Sequence, residues 1–300
     1  MQKPSSPIGG TELLYNNLSE RVDFSDINLI LSICHPDLLS NTKPNVLWQH
    51  LNINEENVAG LKDPDYVKRL DAIVFVSHWQ HEQFRKNFPL DGVDCYVIQN
   101  AVPEFKWKEK PTDKIKLIYT STPWRGLHVL LEVLKNIDRS DIEVDIYSGT
   151  SIYGPSFAEQ TKGQFDEIYN TIKELGYNHV EYAPNNIVRE AVQRAHILAY
   201  PSVFEETSCL SAIEALSGGC KVVTTNYGAL YETCGTWADY VPISNNIVDR
   251  YSKILNNAID NYWNDYDWRK SQSNYYLKHW SWGTRQQQWQ QLIQEVTTHG

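Results

Sequence analysis

Three hundred residues, carrying 37 acidic and 27 basic side chains for a formal net charge of −10, allow two domains of ordinary size with ample core. The acidic balance and the absence of a basic run exclude nonspecific nucleic-acid binding, and no apolar run is long enough to span a bilayer. The start, MQKPSSPIGG, lacks the apolar core of a signal peptide, so a cytoplasmic enzyme is expected.

Five cysteines, Cys34, Cys95, Cys209, Cys220 and Cys234, are scattered without the close pairs of zinc or redox motifs, which predicts reduced thiols. Ten tryptophans and eighteen tyrosines are many for this length. Most are expected in the core and the domain interface, with some left for a sugar-stacking surface.

In chain order, residues 1–7 hold prolines and almost no apolar side chains, so no strand is expected there. Gly9-Gly10-Thr11-Glu12, followed by Leu13, Leu14 and Leu18, reads as a glycine loop opening an amphipathic helix, where backbone amides can approach an anion. Strands are predicted over 27–33 and 45–49, the second delivering His50 to a loop, and over 72–76 and 93–98. Ser77 and Gln80 can form a capping box after the third strand. The charged, polar stretch 106–114 reads as a linker. Asp63-Pro64-Asp65 and Asp265-Tyr266-Asp267 mimic a DxD metal motif, but neither follows a strand and both read as helix starts, so no metal site is expected.

The second half alternates again: a strand over 116–121, a loop through Arg125-Gly126 into a helix, a strand over 144–149, a helix over 165–175 and a short strand over 180–183 ending at Pro184-Asn185. From residue 246 onward helices are predicted, interrupted around Trp280-Ser281-Trp282-Gly283.

The most informative stretch is YPSVFEETSCLSAIEALSGGCKVV, residues 200–223. Apolar runs on either side suit two buried parallel strands, Pro201 ends the first, Thr207 or Ser208 can cap a helix, and Gly218-Gly219 can close it. In such a βαβ unit the loop leaving the first strand sits beside unpaired helix amides, a ready phosphate site. Glu206 and Glu214 lie on either side of it. Eight residues at helical rise span roughly 12 Å, which suits hydroxyls at the two ends of a diphosphate. The chemistry suggested is nucleotide-sugar binding.

The stretch resembles the Glu-x7-Glu motif of retaining, group 1 (GT4-like) glycosyltransferases, with EALSGGCKVVTT similar to that family's continuation. The resemblance implies an α/β GT-B fold, two Rossmann-like domains facing a cleft, the first shortened and lacking its first strand. It divides the chain into an acceptor-side domain (1–110), a donor domain (111–282) and a helix returning to the first domain (283–300). By family position, Glu206 would meet the transferred sugar and Glu214 the ribose. The amides of Ser208, Cys209 and Leu210 would face sugar and phosphate, and Gly9-Gly10 would form an N-terminal phosphate loop. His50 would reach across the cleft to the sugar, with acid or base help left open, and Arg125 would meet the diphosphate. Pro184 and Asn185 would clasp the base. Two departures stand out: Thr207-Ser208-Cys209 replaces Gly-Phe-Gly, and Thr120 or Ser121 replaces a further arginine.

The implied activity is metal-independent hexosyl transfer, with no cofactor, from a nucleotide-diphosphate sugar to a sugar, lipid-linked or other hydroxyl acceptor. A same-fold epimerase or phosphorylase, and a catalytically silent nucleotide-binding module, stay open. Peripheral membrane contact is compatible with this reading.

Overall fold

The computed structural model describes residues 9–298; the expectation that no strand precedes Gly9 concerns residues outside that range. The chain forms α1 (Gly10–Ser19), β1 (Asn28–Leu31), β2 (Asn45–Gln49), α2 (Pro64–Val67), β3 (Ala72–Phe75), α3 (His78–Asn87) and β4 (Asp94–Val97). These four strands make a parallel sheet in the order β1-β2-β3-β4. Every residue of β2 and β3 is buried, as the apolar runs 46–48 and 72–75 require when both sheet faces are covered; the buried amides of Asn45 and Gln49 at the ends of β2 donate to the carbonyls of Arg69 and Ser32. Alternation sends Val46, Trp48 and Val74 to one face, under Leu14 and Leu18 of α1. Leu47, Ile73 and Phe75 go to the other, against Leu61 and Phe84.

The second unit runs β5 (Ile115–Thr120), α4 (Leu127–Ile137), β6 (Ile142–Tyr147), α5 (Pro155–Gln160), α6 (Asp166–Glu174), β7 (Asn178–Val180) and α7 (Asn185–Arg194). It continues through β8 (Ile197–Tyr200), α8 (Leu210–Ser217), β9 (Lys221–Thr225), α9 (Leu230–Cys234), β10 (Ala238–Val241), α10 (Ile247–Asp260) and α11 (Tyr266–His279). Its six parallel strands take the order β10-β9-β8-β5-β6-β7. The chain therefore winds outward in both directions from the adjacent pair β5 and β8, and the loops leaving those two strands diverge. That is the switch point where doubly wound sheets bind ligands.

The last helix, α12 (Trp282–Thr298), follows a break at residues 280–281 and packs on the first sheet through Trp289, Leu292 and Val296. The Trp289 ring meets Trp48 edge-on at 5.0 Å.

Several local readings need correction. Neither Thr207 nor Ser208 caps α8; Cys209 holds the cap position and no side chain bonds the first turn. The first strand ends at Leu31 because Ser32 adopts a positive φ of 63°. Nor is the stretch 106–114 a free tether. Lys110 is buried, its Nζ donating to the carbonyls of Gln193 and Gly218 at 2.9 Å each, so an ammonium compensates carbonyls at two helix ends.

The capping box at α3 has an altered form. Ser77 Oγ accepts from Gln80 N, while Gln80 Oε1 accepts from Val76 N rather than Ser77 N. Asp63 caps α2, and Asp265 pairs with Arg269 and Lys221. All five cysteines are free thiols.

Candidate active site

Strand β5 delivers Arg125 and strand β8 delivers Glu206, from the two loops that part at the switch point. Between them Gly126 has φ 116°, and a Cβ there would stand 2.1 Å from the Pro201 carbonyl oxygen. Only glycine lets the loops touch so closely. Glu206, 2 % exposed, accepts from Arg125 Nη1 at 2.8 Å on each carboxylate oxygen and from the Tyr200 hydroxyl at 2.5 Å. Its backbone is fixed too: it bridges to Gly228, and Ala229 N donates to its carbonyl at 2.7 Å.

Burial alone would discourage the charge of Arg125, but Glu206 outweighs it and the guanidinium is held above its ordinary range. The same guanidinium lies 4.1 Å from the Phe204 ring centroid, a cation–π contact. Its Nε is buried without a partner among the described residues. A buried charged donor left unpaired is costly unless a ligand meets it.

Glu214, on α8, accepts from Arg189 Nε at 3.0 Å. Burial raises its pKa and Arg189 opposes the rise. Arg189 lies four residues after Asn185 on α7, so the two share one helical face. Pro184 and Asn185 themselves are exposed at the start of α7.

The first unit reaches this site directly. The Thr207 hydroxyl donates to the His50 carbonyl at 2.8 Å, and Asn52 Nδ2 donates to Glu205 Oε2 at 2.9 Å. A Cβ on Gly10 would come within 3.4 Å of Leu210, and one on Gly9 within 3.6 Å of Tyr153. The glycine start of α1 thus faces the uncapped start of α8. Four buried polar atoms without partners among the described residues belong to this region: His50 Nε2, Thr120 Oγ1, Arg125 Nε and Ser208 Oγ. Burial pushes His50 down to about 3, which keeps its imidazole neutral, a hydrogen-bonding group rather than a base near pH 7.

Sequence reasoning missed Tyr200, Arg189 and Glu205. Tyr200 sits in an apolar strand and reads as core; Arg189 sits on an amphipathic helix and reads as surface. Their partners, Glu206 six residues beyond Tyr200 and Glu214 on the helix after that of Arg189, are not visible in either pattern. Glu232 accepts from the amides of His78 and Trp79 at 2.9 and 2.8 Å, so a second-unit carboxylate caps helix α3 of the first.

Solved structures share this architecture at low identity. The Anabaena protein HepE in complex with UDP and glucose superimposes with a TM-score of 0.68 at 14% identity, over 84% of this chain and 72% of its own. A glycosyltransferase from Rickettsia africae gives 0.67 at 14% identity, over 100% and 85%. Sucrose-phosphate synthase from Thermosynechococcus elongatus gives 0.67 at 14%, over 86% and 69%. These likenesses establish the GT-B fold. No curated protein sequence matches the chain. The family model described as Glycosyl transferases group 1 matches residues 103–277, more than half of the chain, and the protein is a member of that glycosyltransferase family.

Proposed function

We propose that the protein is a retaining, metal-independent hexosyltransferase acting on a nucleotide-diphosphate sugar in the cleft between the two units. The observation that carries this reading is the buried Arg125–Glu206 pair at the switch point, with Arg125 Nε and His50 Nε2 both left without partners. The diphosphate lies against the uncapped start of α8, near the amides of Ser208, Cys209 and Leu210, with Arg125 and the Gly9-Gly10 start of α1 meeting its charge. Glu214 accepts hydrogen bonds from the ribose, Pro184 and Asn185 flank the base, and Glu206 and His50 bond the sugar hydroxyls. The bond from the anomeric carbon to the diphosphate oxygen breaks as the acceptor oxygen bonds the same face. The leaving phosphate oxygen takes the acceptor proton while Arg125 and the amides stabilise its charge. HepE, named above with UDP and glucose, makes UDP-glucose the first donor to try.

The test separates the two glutamates. A hydrogen bond to a charged acceptor contributes about 1.5–3 kcal/mol, so Glu214→Gln is expected to weaken UDP binding by roughly one to two powers of ten in calorimetry. Glu206→Gln is expected to leave UDP affinity nearly unchanged and to lower single-turnover transfer or donor hydrolysis. The reverse pattern overturns this donor orientation. A product of inverted anomeric configuration, read by NMR, overturns the retaining course.

A further inference from the structure

A second concavity lies at the junction of the two units, apart from the Arg125–Glu206 centre. It has a volume of about 520 Å³, and its lining includes Trp237, Tyr275, Glu232, Gln99, Thr236 and Arg285. We propose that this pocket is a saccharide-binding subsite, holding a pyranose residue against Trp237 and Tyr275 with its hydroxyls bonded to Glu232, Gln99, Thr236 and Arg285.

The two rings stand 6.0 Å apart at 38°, and Tyr275 is 45% exposed. Large rings left open to solvent in a concave site mark recognition surfaces, because Trp and Tyr supply rigid, amphipathic contact area. A pyranose presents C–H groups on its faces, which the negative face of an aromatic ring attracts, and a rim of hydroxyls that each donate and accept. The lining supplies both kinds of partner. Glu232 already accepts from the His78 and Trp79 amides and from Gln99 Nε2 at 3.3 Å, which leaves further lone pairs on its two oxygens. The bond from Gln99 turns that amide so that its carbonyl oxygen can accept, whereas Arg285 donates three of its five N–H groups, to Asn100 O, Gln288 Oε1 and His279 O, which leaves two. The Thr236 hydroxyl has no partner among the described residues.

Competing ligands fit less well. The Glu232 carboxylate opposes a phosphate, and a lipid chain would bury these polar groups unpaired. Position supports the saccharide as well. Gln99 follows the end of β4 and Glu232 follows the end of β9, on the same edge of the sheets as Glu206, whose backbone Gly228 touches.

The experiment applies the full chain, with and without UDP, to an array of neutral and acidic di- to hexasaccharides, followed by titrations read by tryptophan fluorescence. Binding of a subset is expected, undiminished by UDP. In both Trp237→Ala and Tyr275→Ala the affinity is expected to fall at least tenfold, while the melting temperature of Tyr275→Ala stays that of the unaltered protein. Trp237→Phe should retain most of the binding if a ring face is what the sugar needs. The proposal is overturned by an array without hits, by binding that survives both alanine variants, or by saccharide displacement with UDP. Binding to phosphatidylcholine vesicles that is lost in both variants, with no saccharide bound, overturns it too. Failure of the chain to bind UDP bears on the donor site alone and leaves these outcomes readable.

Discussion

Glu206 is buried and Glu214 half-buried, each paired with one arginine, yet the pairs differ in what surrounds them. Around Glu206 the Tyr200 hydroxyl, itself within 3.3 Å of Ser121 Oγ, adds a second donor. Tyr200→Phe removes that donor without opening a cavity, so a loss of about 1 kcal/mol in stability is expected from the missing hydrogen bond. A tenfold or greater loss of turnover is expected beside it, because Glu206 is then free to rotate about its Arg125 contact. Urea unfolding and single-turnover kinetics check both. Around Glu214 the one side-chain partner among the described residues is Arg189. Arg189→Ala lets burial act unopposed, so the pKa of Glu214 rises further and its charge is lost at higher pH. UDP affinity in that variant is expected to fall about three- to tenfold at pH 7 and to drop more steeply toward pH 5. In a Glu214→Gln background the same substitution is expected to have no added effect on affinity. A full second loss there would mean that Arg189 acts on the donor by another route.

At the scale of elements, strands β2 and β3 and the unit from β8 to β9 were legible because buried parallel strands have apolar cores, and 46–48, 72–75, 197–200 and the shorter 222–223 are such runs. The helix α12 was legible through the break that precedes it. The linker was not. Its lysines and proline gave no sign that Lys110 would be buried, since a lysine's acceptors here are backbone carbonyls, which every sequence has. The N-terminus of α8 was misread for a related reason: a hydroxyl near a helix start bonds it only if nothing better is offered, and Thr207 meets the His50 carbonyl instead while Cys209 takes the cap position. In the candidate site, the motif pointed to both glutamates and to Arg125, whereas their partners come from other elements and needed the topology. The docking of the linker makes a checkable demand. Gly219 has φ 75°, and a Cβ there would meet the Trp107 ring at 2.7 Å. Gly219→Ala is expected to cost about 1–3 kcal/mol, combining backbone strain with the clash. In a Trp107→Ala background only the backbone part, about 1 kcal/mol, is expected to remain. Denaturant midpoints of the four proteins of this cycle measure the difference; equal costs in both backgrounds would show that the ring does not press on Gly219.

For the whole molecule, the two histidines most shifted by burial set how stability responds to acid. His196 has no exposed surface; its Nδ1 accepts from Lys116 N at 2.9 Å and its Nε2–H donates to the Pro111 carbonyl at 2.8 Å. Both bonds are made by the neutral ring, and protonating Nδ1 would turn that amide contact into a donor facing a donor. Burial is the first cause that lowers its pKa, to about 4, and burial lowers His50 to about 3. In the unfolded chain both titrate near 6.5. As pH falls from about 6.5 toward 4, the unfolded chain takes up protons that the folded protein refuses, so stability declines across that window. Above pH 7 neither histidine contributes a slope. Each group at full effect gives about 1.4 kcal/mol per pH unit. His50 borders the cleft and gives less than that, so His196 carries the expectation of a loss of about 1–3 kcal/mol between pH 7 and pH 5. Urea midpoints at the two pH values read the loss, and the ring signals of His196 in a folded-state NMR titration should not move above pH 5. Stability that stays level, together with a His196 titration near 6.5, would show that the ring takes a proton in place and that the Lys116 contact yields. The same argument bears on catalysis: with His50 neutral throughout, the pH profile of turnover should have no acid limb near 6.5 arising from it, and His50→Gln, which keeps a hydrogen-bonding group, should retain more activity than His50→Ala.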